Sequence, residues 1–191
     1  MHMKRIWTNP ALFTLLAALV VPAAHAVEYH TILPKQSSIG FEFRQMGVPV
    51  QGGFKRFAVQ MAFDPARPEA ASAKIEIDLA SIDAGSSEAD DESAGKLWFN
   101  RSAYPKAQFV SSQIRPLGNN RYEMRGTLTL KGRSRELAVP VTFVPGKAAA
   151  TFDGTFVLKR LDFGIGEGMW ADVATVANEV KVKFRIAATG N

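Results

Sequence analysis

Apolar and polar side chains alternate with a period of two along much of the chain, most clearly from Arg121 to Phe143. Tyr122, Met124, Gly126, Leu128 and Leu130 share one side of a first arm, and Arg121, Glu123, Arg125, Thr127, Thr129 and Lys131 share the other. Lys131-Gly132 supplies a turn, and Leu137, Val139, Val141 and Phe143 form the apolar side of the return arm, so the stretch predicts a hairpin with one dry and one wet face. Pro140 has no N–H to give a ladder, which predicts a local break in pairing there. The same alternation predicts strands over Ser38 to Arg44 (Ile39, Phe41, Phe43 inward), Gly53 to Phe63, Ala73 to Leu79, Ala107 to Arg115 anchored by Phe109, Thr151 to Leu161, and Asn178 to Ala187. Met46 to Val50 reads as a turn, and Asp64-Pro65 as a strand stop.

One stretch departs from this period. Ser87 precedes Asp90 by three residues, and Glu88, Asp90, Asp91 and Glu92 crowd the start of a predicted short helix that runs toward Leu97-Trp98-Phe99. Acidic groups in a first turn complement the helix dipole, and the bulky cluster that follows requires a dry place to pack. Eight strands, short turns and one helix suggest an antiparallel barrel or a sandwich. We expect an all-β, eight-stranded, lipocalin-like barrel with the helix as a lid, because closure removes exposed edges and leaves an interior wide enough for side chains or one slender ligand.

The first 26 residues change the picture of where this domain works. Lys4 and Arg5 precede an apolar run from Ala11 to Val21, then Pro22 and the small-residue ending Ala24-His25-Ala26. This predicts a cleaved secretory signal peptide, with a mature domain over 27–191 in the periplasm or secreted. The leader holds two of the 23 basic residues and none of the 18 acidic ones, leaving a mature net charge of +3. So mild an excess, interleaved with acids, argues against nucleic acid as a partner. The sequence contains no cysteine, so no disulfide staples the exported domain and packing must hold it.

Candidate chemistry is sparse. His30 is the one histidine left after the leader, which excludes a His/Cys zinc site and leaves no nucleophile elbow around any serine; a strand-edge role suits it. Glu88, Asp90, Asp91 and Glu92 lack calcium-loop spacing. Asp162 with Glu167 is the carboxylate pair to consider for acid/base work. What remains is apolar, including 13 phenylalanines. A filled core accounts for most of them. Two features favour a cavity instead: Leu97-Trp98-Phe99 lies outside the strands where it can cover a mouth, and Gly126 and Gly154 leave room on inward faces.

Ile39-Gly40-Phe41, Gly53-Phe54 with Phe57, Phe63-Asp64-Pro65, Tyr104-Pro105 with Phe109, the run Gly126-Thr127-Leu128-Thr129-Leu130-Lys131-Gly132, and Arg160-Leu161-Asp162-Phe163-Gly164 together resemble the YceI-like family across the mature chain. The resemblance implies an extended lipocalin-like barrel that holds a polyisoprenoid, a quinone-like molecule or another long amphiphile, often as a homodimer. The chain departs from the family in having Gln45-Met46 where a histidine is common and Ala177-Asn178 where a glycine is. The first departure bears on what meets a ligand's polar end; the second bears on a turn.

Three readings of function follow. The first is a periplasmic carrier for one long apolar chain, needing no cofactor and no metal. Its lining is Phe41, Phe43, Phe109, Leu128, Leu130, Phe156 and Phe184, with Leu97, Trp98 and Phe99 as lid, Trp170 near the opening and Arg160 at the mouth, meeting a ligand oxygen or paired with Asp162. The second is an enzyme acting on such a lipid through a carboxylate inside the barrel. The third is a filled-core interaction module whose outward row Lys181, Lys183 and Arg185 makes transient contact with an anionic membrane or an acidic partner.

Overall fold

A computed structural model describes residues 27–190. The predicted leader, 1–26, lies outside the described residues. Eleven strands follow in chain order: β1 (Tyr29–Ile32), β2 (Ser38–Gln45), β3 (Val48–Phe54), β4 (Phe57–Ala62), β5 (Ser72–Asp78), β6 (Ile82–Asp83), β7 (Lys106–Gly118), β8 (Arg121–Leu130), β9 (Arg133–Val144), β10 (Ala150–Lys159) and β11 (Glu179–Gly190). One helix, α1 (Ser87–Ala94), stands between β6 and β7. All pairings are antiparallel, in the order β4-β5-β7-β8-β9-β10-β11-β2-β3-β6, with β1 added to the end of β11.

The all-β antiparallel barrel expected from the alternation is present, with eleven strands in place of eight. The three additions have physical reasons. β3 carries Pro49, Gly52 and Gly53 and so reads as a turn, but β6 pairs only with Gly53 and Phe54, leaving Val48 to Gln51 on a free edge where a proline breaks no ladder. The stretch expected as one strand from Gly53 to Phe63 bends at Lys55-Arg56 and becomes β3 and β4. β1 and β6 are too short to carry a periodic signal.

No ladder joins β4 to β3 or β6 among the described residues, so corner bonds close the curl. At one end the backbones of Tyr29 and Phe63 exchange bonds of 2.8 and 3.1 Å. At the other, Lys55 N–H donates to the Ser81 carbonyl at 3.0 Å, and Arg56 N–H donates to the Ser81 hydroxyl at 2.9 Å. That hydroxyl donates onward to the Asp78 carbonyl at 2.7 Å.

The hairpin sits where expected. Lys131 and Gly132 both have positive φ (47° and 72°), the geometry that joins two strands without splaying them. Pro140 faces Glu123 in the β8–β9 ladder, but on the β10 side pairing stops at Gly154–Val141, the last pair before the proline. Beyond that pair β9 and β10 part, and the wall has a split.

Along the axis the interior has two halves. Phe63, Tyr122, Phe143 and Phe152 are all buried and fill one end, with Phe63 and Phe152 centroids 5.0 Å apart and Phe63 and Tyr122 5.1 Å apart. Tyr29 joins them at 5.3 Å from Phe143. At the other end Phe41, Phe43, Phe156, Leu158, Val180 and Val182 also face inward, yet each keeps partial exposure. Inward-facing apolar groups that stay partly accessible mark a hollow.

Gly126 and Gly154 stand at the boundary between the halves, and the expectation that they leave room is overturned. A Cβ on Gly126 would lie 2.6 Å from the Phe109 ring, and one on Gly154 would lie 2.2 Å from the Phe184 ring. Each missing side chain is the space into which a phenylalanine folds down. The glycines thicken the floor and add nothing to the hollow.

Candidate lipid-binding cavity

The hollow half holds a partly open cavity of about 590 Å³, inside the range of roughly 300–1,000 Å³ usual for small-molecule sites. Its walls are strand residues of alternating register: Phe41 and Phe43 from β2, Leu128 and Leu130 from β8, Phe156 and Leu158 from β10, Val180 and Val182 from β11. Trp98, Phe99, Arg160 and Trp170 complete it at the lid end. Nine of the twelve residues expected to meet a ligand therefore line one cavity. Phe109 and Phe184 do not, being spent on the floor over Gly126 and Gly154. Leu97 does not either: its side chain is 40 % exposed, and its contribution is a backbone carbonyl. Residues not expected in the lining also border the space: Ile77, which alternation placed on the apolar side of its strand, and Ile82, Ile165 and Val176, which it did not single out. A wider concavity of about 780 Å³ opens on solvent beside the Lys55–Asp83 ion pair and is not enclosed by the sheet.

Two lid segments cover the hollow. α1 is capped by the Ser86 hydroxyl, which accepts from Ala89 N–H at 3.2 Å, one residue earlier than the spacing predicts. Asp90 is released from that role and accepts from Ala84 N–H at 2.6 Å, tying the helix to the end of β6. The second segment, residues 160–178, wraps the Arg160 side chain. The Leu97 carbonyl joins the two by accepting from Gly166 and Glu167 N–H at 2.8 and 2.9 Å. The Trp98 and Trp170 rings pack with centroids 5.5 Å apart, and Trp170 Nε1 donates to Glu92 at 2.8 Å.

Arg160 is neither a mouth residue nor the partner of Asp162. It is 2 % exposed. Nε donates to Ala177 O at 3.1 Å, Nη1 to Ile165 O and Gly166 O at 2.9 Å each, and Nη2 to Trp170 O at 2.7 Å and Val176 O at 2.6 Å. Five donors thus meet five carbonyls of one loop, which no sequence spacing announces. Trp98 covers the guanidinium, whose carbon is 5.7 Å from the ring centroid. Burial pulls the guanidinium below its ordinary pKa, and the carbonyl dipoles offset that loss of water.

Outside the barrel, Lys131 Nζ donates to Gly164 O at 2.6 Å and to Glu167 at 2.9 Å, and Arg133 donates to Glu167 at 2.8 Å. These bonds fasten the lid loop to the hairpin turn beside the β9–β10 split. Glu167 is engaged by these two cations, and neither it nor Asp162, the carboxylate pair considered for acid/base work, lines the cavity. The Lys131 hydrogen bond, aided by the Arg133 charge, holds the Glu167 carboxyl below its usual range. Glu88, in the cavity wall, is also pulled down, by hydrogen bonds from its own N–H and from Ser86 and Ser87. That is the opposite of the upward shift burial gives a general acid. His30 is exposed on β1, with Nδ1 3.0 Å from the Glu28 carbonyl. The outward row is largely neutralised: Lys181 and Lys183 lie 3.9 and 3.8 Å from Glu42, and Arg185 lies 2.7 Å from Asp153.

The sequence profile of the YceI-like domain matches residues 30–188. The chain belongs to that family. Among solved structures this YceI-like chain is similar to Burkholderia cenocepacia BcnA, with 44% identity, a TM-score of 0.81, and coverage of 83% of this chain and 99% of that one. It shares its fold with a polyisoprenoid-binding domain from Saccharophagus degradans at 14% identity and a TM-score of 0.65, covering 87% of this chain and 99% of that one. Among proteins known by sequence, a UPF0312 protein of Vibrio cholerae is 31% identical over 79% of this chain and 85% of its own length.

Two predictions follow from the lid. Replacing Arg160 by Lys leaves three donors on a point charge facing five carbonyls, and we expect a loss of at least about 3 kcal/mol, or a melting temperature lower by about 6–12 °C, in thermal unfolding. The Glu167 contribution is complete above the ordinary glutamate pKa of about 4.3 and disappears as pH falls through the depressed folded value. Protection of loop amides 161–177 in hydrogen exchange, corrected for intrinsic rates, should hold from pH 7 to about 5 and fall below about 4.

Proposed function

We propose that this YceI-like protein is an exported binding protein that carries or sequesters one long, mostly apolar molecule, a polyisoprenoid, an isoprenoid quinone or a related lipid, in the hollow half of its barrel. The observation that carries the reading is the partly open cavity of about 590 Å³ whose strand walls are Phe, Leu and Val. Such a chain is nearly insoluble, and its burial at roughly 25 cal/mol per Å² of apolar surface supplies affinity without charged contacts. The polyisoprenoid-binding description of the Saccharophagus degradans domain, which shares the fold, agrees with this reading. The leader-like residues 1–26 support an extracytoplasmic, periplasmic setting.

Catalysis on a similar lipid finds less support, because the carboxylate in the wall whose pKa moves, Glu88, moves down. Surface binding through Lys181, Lys183 and Arg185 finds less too, since Glu42 and Asp153 already face that row.

Phe156 tests the assignment directly, because it lies in the wall and not among the rings that fill the far end. Replacing it with Trp should fill the cavity and lower uptake of an added isoprenoid quinone at least about tenfold in equilibrium binding, with folding retained. Unchanged uptake by a folded Phe156→Trp protein would count against this cavity as the binding site.

A further inference from the structure

Among the described residues the four most exposed large apolar side chains are Met169, Met46, Val48 and Val173, at 54–76 % exposure. They are scattered in sequence but gathered at the lid end. Met46 and Val48 flank the tip of the β2–β3 hairpin, and Met46 N–H donates to the Thr175 carbonyl at 2.8 Å, which brings that tip against the loop carrying Met169 and Val173. Cavity-lining residues stand beside them in the chain: Gln45 precedes Met46, Trp170 follows Met169, and Val176 bridges to Gln45. None of the four lines the cavity itself. They form an apolar rim on the solvent side of the lid.

The hairpin tip shows that this rim has a conformational cost. Met46 and Gly47 have φ of 47° and 80°, the left-handed pair of a two-residue turn, where Asn, Asp and Gly fit most easily. Of the five described non-glycine residues with positive φ, three are Asn and one is Lys131, which holds Gly164 and Glu167. Met46 is the fifth, a large apolar side chain in a conformation that disfavours it. A Cβ on Gly47 beside it would meet nothing within 4 Å, so the tip stands clear of the rest of the chain. Neither the turn nor water favours methionine there, which points to a partner.

Shape, charge and cargo select that partner. The rim residues sit on separate projections, which a fluid phase can mould around and a rigid protein face would have to match. At the tip Arg44 donates to the Gly47 carbonyl at 2.7 Å, and in the loop the Asp172 carboxylate accepts from Ala174 N–H and the Thr175 hydroxyl at 3.0 Å each. The other half of the lid, α1, carries acids in its first turn, so nothing there draws an anionic surface. The apolar cargo of the reading above resides in membranes and enters water only at high cost. We infer that this rim docks the lid end on a lipid bilayer, with Met46, Val48, Met169 and Val173 entering the boundary between head groups and acyl chains, so that cargo passes between bilayer and cavity without crossing water. The inference rests on the carrier reading for its choice of partner and adds the face through which cargo is exchanged.

The test uses the mature chain and vesicles of phosphatidylcholine, which carry no net charge. In flotation the wild type should rise with the vesicles, and raising salt from about 0.05 to 0.5 M should change the bound fraction by less than about twofold. Met46→Asn combined with Met169→Gln removes apolar surface, keeps the charge and suits the positive φ at the tip; it should lower vesicle partition at least about tenfold. The same variant should take up decylubiquinone offered in solution within about twofold of the wild type, which also checks its fold, while uptake of that quinone from vesicles falls with the flotation. A wild type that does not float, a variant that floats equally, or binding lost in salt but not in the variant would overturn the docking surface. So would self-association of the wild type without flotation, abolished in the variant, because the rim would then belong to a second copy. Flotation with no quinone uptake from either source would sink the carrier reading and leave the docking surface supported, so the two failures are distinguishable.

Discussion

Among the described residues the buried Arg160 guanidinium has no carboxylate paired with it, so the backbone has to solvate it, and the lid loop exists in its present form because Arg160 is solvated that way. Five carbonyls from Ile165, Gly166, Trp170, Val176 and Ala177 converge on one side chain, so a loop with little regular structure acquires a single conformation. An unpaired buried charge is costly and a fully hydrogen-bonded one is tolerable, which makes the arrangement all-or-none. The loop cannot open a little without stranding either the cation or several carbonyls. That stiffness places Trp170 against Trp98 and Gly166 against the Leu97 carbonyl, and so carries α1 into position as the second half of the lid.

With the lid fixed, one half of the barrel can remain hollow. Empty apolar space forgoes dispersion contacts, so stability has to come from elsewhere. Here it comes from the far end, where Phe63, Tyr122, Phe143 and Phe152 interlock at ring separations of 5.0–5.2 Å, and from the Phe109 and Phe184 rings that settle over Gly126 and Gly154. The same strands serve both halves. On β10, Phe152 belongs to the packed end and Phe156 to the hollow, with Gly154 between them. On β8, Tyr122 and Met124 pack while Leu128 and Leu130 line, with Gly126 between. Pro140 stops the β9–β10 ladder beside Gly154, and at the opposite end of the split Lys131, Arg133 and Glu167 fasten the lid loop to the hairpin turn.

Period-two alternation made the barrel readable, because it reports which side chains face inward whatever they then touch. It placed Phe41, Phe43, Leu128, Leu130 and Phe156 correctly on the inner face, and the missing donor of Pro140 foretold a break in pairing. It could not tell a packed inward residue from a lining one, since that depends on what stands across the barrel. Phe109 and Phe184 were expected in the wall for this reason, and the glycines opposite them were given the wrong sign. β3 was hidden by Pro49 and two glycines because tolerance of proline at a free edge is a property of the sheet, not of the segment. The Arg160 cage arises from one loop folding back on itself, and no local pattern encodes it. One clue was available: an arginine on the inward register of a strand otherwise made of Phe and Leu has to find several acceptors nearby.

The central claim is that the hollow half of the barrel is a binding site and not a packing defect. The most direct measurement is organic extraction of the folded protein, purified from its native cells, followed by mass spectrometry. The account predicts a long-chain isoprenoid or related lipid, in near one-to-one amount. Recovery of folded protein with no apolar chain, and no uptake when such chains are added back, would contradict it.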